Sequence, residues 1–136
     1  MALDRERLKG LSGFRYSLRR FLAASESISR EGGVTQQQYQ VMLAIKASDD
    51  GGLAMKDLAE QLLLKPHAAV QLVDRLAIAG LALRRPSTVD RRVVRVSLTP
   101  EGDALINRLA EQHLEEMLRQ EPHLRRSLGM LKRLGE

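Results

Sequence analysis

The sequence predicts a mainly α-helical chain with a small β-wing. Apolar residues recur three and four apart toward both ends, two short helical patterns are separated by about three residues near 64–66, and two strand-like runs then flank a charged loop. Helices joined that closely make a helix-turn-helix, and two strands with their loop make the wing. The expected architecture is a winged helix-turn-helix flanked by N- and C-terminal helices.

The first helix is expected over residues 5–29, where Leu8, Leu11, Phe14, Leu18, Phe21, Leu22 and Ile28 form one apolar stripe. Gly10 and Gly13 weaken its first turns by up to about 1 kcal/mol each relative to alanine. Thr35 caps a second helix that runs to about Ser48. Gln38 completes a capping box, and Val34 with Tyr39 supplies a hydrophobic staple; Val41, Met42 and Ile45 fall on the inward side. Residues 55–63 read as a short third helix burying Leu58, Ala59 and Leu62, with Ala54 at a cap position that offers no oxygen. Pro66 suits the first position of a fourth helix, which ends near Ala79 because Gly80 can turn left-handed. Residues 81–85 and 93–98 read as strands, with Val94, Val96 and Leu98 on one face of the second. Thr99-Pro100-Glu101 then starts another helix with a cap oxygen, a first-position proline and an acid near the positive end of the dipole. Leu105, Leu109, Met117 and Leu118 continue an apolar stripe. Pro122 is expected to break or kink that helix, and Leu124, Leu128, Leu131 and Leu134 suggest a last short one.

At 136 residues the chain suits a single domain, and 43% hydrophobic with 29% charged residues is a folded balance, not a disordered one. The absence of cysteine excludes disulfides, thiolate metal sites and thiol redox chemistry. No apolar run reaches the roughly 18 residues of a membrane span, and the charged start carries no signal-like stretch, so a soluble cytoplasmic protein is expected. No glycine-rich phosphate loop or Ser/His/Asp arrangement is visible. His113 and Glu116, on one helical face, read as a solvated pair and not as metal ligands. No enzyme, cofactor or metal is expected. The location of the charge is more informative. Between Lys65 and Arg95 seven basic residues meet only Asp74 and Asp90, so this stretch carries +5, while the flanks come to +1 and −1. Positive charge concentrated in this way points to a polyanionic partner.

Leu58-Ala59-Glu60, Val73-Asp74-Arg75-Leu76 with Gly80-Leu81, Asp90-Arg91-Arg92 and Leu98-Thr99-Pro100-Glu101-Gly102 follow in an order and spacing that resembles the MarR family of winged-helix regulators. The resemblance implies a DNA-binding transcription regulator, expected to be a repressor, acting as a homodimer on a pseudo-palindromic operator. It assigns residues 1–33 and 103–136 to dimerisation helices and 34–102 to the winged helix-turn-helix. The fourth helix would enter the major groove. There Gln71 suits adenine, Ala68 a thymine methyl, and His67 a phosphate or guanine acceptor unless it is simply solvated; Lys65 would sit near phosphates. Arg75 either contacts phosphate or pairs with Asp74 or another local acid. Ala68 and Val70 stand where family members often carry Ser or Thr, so this face is poor in hydroxyls.

In the wing, Asp90 and Arg92 are two apart and would point the same way on an extended strand. The resemblance implies that the carboxylate orients the guanidinium into a minor groove, a narrow A·T-rich one by preference. Arg91 faces the other side and can take a phosphate; Arg85 joins the DNA-binding set, with Arg84 and Arg95 nearby. The family also implies an apolar or phenolic effector. Tyr16, Tyr39 and Met42 are candidate pocket residues, with ordinary core packing as the other reading. The competing functional class is a winged-helix module that binds protein without specific DNA binding. That class accounts for the helices but not for the confinement of charge.

Overall fold

The computed structural model describes residues 2–136. Its elements follow in the order α1 (Arg5–Glu31), α2 (Gln36–Ala47), β1 (Gly52–Ala54), α3 (Met55–Gln61), α4 (Pro66–Ile78), β2 (Ala82–Pro86), β3 (Val94–Leu98) and α5 (Pro100–Gly135). They form two compact units. One is Ser29–Ala110; the other combines the N-terminal residues up to Ile28 with Glu111–Glu136.

The core of the Ser29–Ala110 unit is aliphatic. Met42 and Ile45 of α2, Leu58 of α3, Val73 and Leu76 of α4, Val96 of β3 and Ile106 and Leu109 of α5 are fully buried. The capping box at Thr35 forms as its sequence requires: Thr35 Oγ1 accepts from the Gln38 N–H at 3.1 Å, and Gln38 Oε1 accepts from the Thr35 N–H at 2.9 Å. The three strands make an antiparallel sheet ordered β1-β3-β2, with Leu53 opposite Val96 and Arg84 opposite Val96 on the other side. The short strand β1 was not foreseen. Its Asp49-Asp50-Gly51-Gly52 approach reads as punctuation, and three residues show no alternation of their own; pairing with β3 makes it a strand.

Helix ends show how little freedom the turns have. α4 closes with Gly80 at φ +77°, its N–H bonding to the Ala77 carbonyl and that of Leu81 to Leu76. This is the pattern expected of a left-handed C-terminal glycine. α3 stops two residues before the expected Leu63 by the same pair of bonds, Leu63 to Glu60 and Leu64 to Ala59. Here a leucine, not a glycine, takes the left-handed position, at φ +55°, with its side chain 93% exposed. A side chain there costs about 1–2 kcal/mol.

The Thr99-Pro-Glu-Gly segment has a packing reason. Thr99 donates its hydroxyl to the Gly80 carbonyl at 2.7 Å and its N–H to the Leu81 carbonyl at 3.1 Å, while its Oγ1 accepts from the Gly102 N–H at 3.0 Å. Gly102 is buried so close to the Leu81 carbonyl that a Cβ would overlap the oxygen.

In the other unit α1 and the C-terminal part of α5 pack together. Ser17 and Ser127 share a 2.7 Å hydrogen bond between hydroxyls, and Arg7 Nε donates to the Leu134 carbonyl at 2.9 Å. Gly10 is buried against the side chains of Leu131 and Leu134, which would have to shift to admit a Cβ. Pro122 does not end the helix, which corrects the expected break and the separate last helix. α5 runs through it to Gly135 as one helix. Proline deletes one N–H, and the flanking turns, held C-terminally by Leu131 and Leu134, keep the rest. His113 is also not a solvated residue. It lies four residues after Leu109 on the same helical face and is only 7% exposed, while Glu116 accepts from Arg119 and Gln120. No described helix is long and apolar enough to cross a membrane.

Two substitutions test this account of the turns by thermal or denaturant unfolding. Gly102→Ala is expected to destabilise by about 1–3 kcal/mol, since backbone must move to admit the methyl group. Leu63→Gly is expected to stabilise by about 1 kcal/mol, because strain relief exceeds the entropic cost of glycine. The opposite signs would place the constraint elsewhere.

Candidate nucleic-acid interface

Pro66 occupies the first turn of α4, where its missing N–H costs nothing. The helix turns Ala69, Leu72, Val73 and Leu76 inward, which leaves His67, Gln71 and Arg75 exposed along the opposite side and Ala68 half-buried beside them. Positions 67, 71 and 75 are four apart and so share one face. Val70 is half-buried, not core. Lys65, at the cap position, is exposed and its side chain makes no cap hydrogen bond.

The wing loop is shaped by short-range bonds. Ser87 Oγ accepts from the N–H groups of Val89 and Asp90 at 3.1 and 3.4 Å, and the Val93 N–H closes a turn on the Asp90 carbonyl at 2.9 Å. Asp90 and Arg92 meet in that turn and not on an extended strand, which corrects the geometry expected of them. Asp90 Oδ1 accepts from the Arg92 N–H and Nε, and Oδ2 from Nη2, each at 3.1 Å. The turn brings the carboxylate under the backbone, so one acid holds main chain and guanidinium together. The Arg92 side chain nevertheless stays 91% exposed. Its hydrogen bonds lower the Asp90 carboxyl below the ordinary aspartate range, the side-chain bond being the larger cause.

The seven cations between 65 and 95 now divide. Arg92 is held by Asp90, Arg84 pairs with Asp74 of α4 at 2.8 Å, and Arg95 reaches Asp50 at 3.5 Å. Lys65, Arg75, Arg85 and Arg91 make no ion pair among the described residues and are exposed. Sequence reasoning left Asp74 as a possible partner for Arg75; its partner is Arg84, which ties the helix to the wing strand. Strand alternation was the available signal, since Arg84 shares a face with the buried Val96. Asp50 gave no signal, because its loop and β1 were not read as part of the sheet.

The three candidate effector residues belong to different units. Tyr39 and Met42 are buried in the core of the Ser29–Ala110 unit, where burial raises the Tyr39 phenol above its usual pKa. Tyr16 belongs to the other unit and is exposed, with the Arg20 guanidinium over its ring.

This geometry has relatives. The MarR family sequence profile matches residues 32–93. The transcriptional regulator YhbI of Bacillus subtilis is 35% identical over 111 residues, covering 76% of this chain and 71% of YhbI. The chain belongs to the MarR family. The transcriptional repressor MdtR of Bacillus subtilis is 40% identical over 78 residues, which is 57% of this chain and 48% of MdtR, so the match spans about half of that relative. Among solved structures, the MarR-family regulator AbsC from Streptomyces coelicolor superposes with a TM-score of 0.82 at 20% identity, covering 88% of this chain and 81% of AbsC. A mutant MarR from E. coli complexed with operator DNA gives 0.68 at 23% identity, covering 79% and 74%. NadR in complex with 4-hydroxyphenylacetate gives 0.71 at 27% identity, covering 90% and 86%. The fold is that of the MarR winged-helix proteins.

The Asp90–Arg92 turn makes a specific expectation about pH. A lowered carboxyl contributes its pairing above the ordinary aspartate range and loses it as pH falls through the lowered value. The Asp90 carboxyl carbon, followed by NMR, is therefore expected to titrate below ordinary aspartates. Arg92→Gln is expected to bring it back toward them. No difference between the two proteins would remove the pair from the wing.

Proposed function

We propose that this chain is a homodimeric transcriptional repressor of the cytoplasm that binds a pseudo-palindromic operator through α4 and the wing. The observation that carries DNA binding is the confinement of the net positive charge to residues 65–95, with four cations there that make no ion pair among the described residues. The relatives named above support the regulatory reading, as MdtR is a repressor and the E. coli MarR neighbour was solved on operator DNA. In this reading Gln71 and His67 meet base edges, Ala68 meets a thymine methyl, and Lys65, Arg75, Arg85 and Arg91 meet phosphates. Arg92, steadied by Asp90, enters the minor groove.

The dimer is supported by apolar side chains that the terminal helices leave exposed, among them Leu8, Leu11, Leu22, Leu114, Leu118 and Leu128. Exposed leucines in this number call for a partner, and a second copy is the commonest one. An apolar or phenolic effector is supported by the NadR neighbour and its 4-hydroxyphenylacetate. Tyr39 and Met42 would contribute only by opening a core they now fill.

Selecting bound sites from a random DNA pool tests this reading. Inverted repeats with half-sites about 10 base pairs apart are expected; unrepeated half-sites would contradict the homodimer, and the absence of enrichment would contradict sequence-specific binding. On the selected site Arg92→Ala is expected to cost about 1–3 kcal/mol of binding. Unchanged affinity would take the wing out of the mechanism.

A further inference from the structure

Two cations share one register position on the outer face of the wing sheet. Arg85 of β2 lies directly opposite Arg95 of β3, on the face turned away from the buried Val96. Like charges so placed destabilise a sheet unless something intervenes. Arg95 has partial relief: its Nη2 donates to the Gly52 carbonyl at 2.9 Å and to Asp50 Oδ2 at 3.5 Å. Arg85 has none of this kind among the described residues. A surface depression of about 480 Å³ opens here, with Asp50, Arg85, Thr88, Arg95 and Ser97 in its walls. Two guanidinium groups and the hydroxyl residues Ser87, Thr88 and Ser97 around one hollow suit a phosphate oxyanion.

We propose that this hollow seats one backbone phosphate of a bound duplex and that Asp50 is its competitor within the chain. The carboxylate must leave Arg95 before a phosphate can engage both guanidinium groups. The proposal rests on the DNA-binding reading above and adds a residue whose charge opposes binding. The contrast with the wing tip carries it. Asp90 grips Arg92 and its backbone through three bonds at 3.1 Å, a fixed arrangement. Asp50 makes one contact at 3.5 Å from a side chain 76% exposed, which is the exchangeable kind of pair.

The test is the affinity of the full chain for a duplex of random sequence at several salt concentrations. Arg85→Ala is expected to flatten the slope of log K against log[salt] by about 0.9, one phosphate contact, and Arg95→Lys to keep most of the wild-type slope. Asp50→Asn is expected to tighten binding by about two- to fivefold. That gain is expected to vanish when Asp50→Asn is combined with Arg95→Ala, or with Arg95→Gln should the alanine variant fail to fold. An equal gain in both backgrounds would make Asp50 a diffuse charge and overturn the competition. An unchanged slope in Arg85→Ala would remove the phosphate seat. A wild-type chain indifferent to salt would defeat the DNA reading itself, whatever the variants do.

Discussion

The winged unit depends on one close approach, the docking of the first turn of α5 onto the turn that ends α4. Thr99 makes two hydrogen bonds to Gly80 and Leu81, a third from Gly102 to Thr99 holds the turn, and Gly102 leaves no space for another carbon against Leu81. Leu81 leads into β2 and Thr99 follows β3, so the same contact closes the base of the wing hairpin. It also fixes where α4 stops. Three elements therefore take their mutual positions from four residues, and a methyl group at Gly102 disturbs all of them at once.

On that frame the charges play two roles. Some are spent within the protein: Arg84 ties β2 to α4 through Asp74, and Arg92 is fastened to its own turn by Asp90. Others, Arg85 and Arg91 among them, meet no acid among the described residues. An exposed pair contributes little to stability, so the value of the internal pairs lies in holding geometry. The cations without an acid are available to a polyanion, and so is Arg92, whose side chain stays exposed while Asp90 holds it. Net charge alone does not separate these roles; the partners do.

Much of the frame was legible in the sequence because local chemistry agreed with tertiary packing. The Thr35–Gln38 box, Pro66 at the head of α4 and Gly80 at its foot are short-range signals, and each formed as read. Strand β1 and the left-handed Leu63 were not legible, since both are imposed by neighbours against the preferences of their own residues. Pro122 misled for the converse reason: its local penalty is real, but one lost bond is small beside a helix packed on both sides of it. At the candidate interface, spacing identified the exposed face of α4, and the family resemblance supplied the Asp90–Arg92 partnership. Spacing missed the turn that joins that pair, and it missed Asp50, which meets Arg95 only because β1 aligns with β3.

The central claim is that α4 and the wing together form the face that DNA occupies. Amide hydrogen exchange of the full chain, with and without a duplex selected by it, tests this most directly. The account predicts added protection confined to α4, near Lys65–Arg75, and to the wing from Arg85 to Arg95. Protection confined to the terminal helices, with α4 and the wing unchanged, would contradict it.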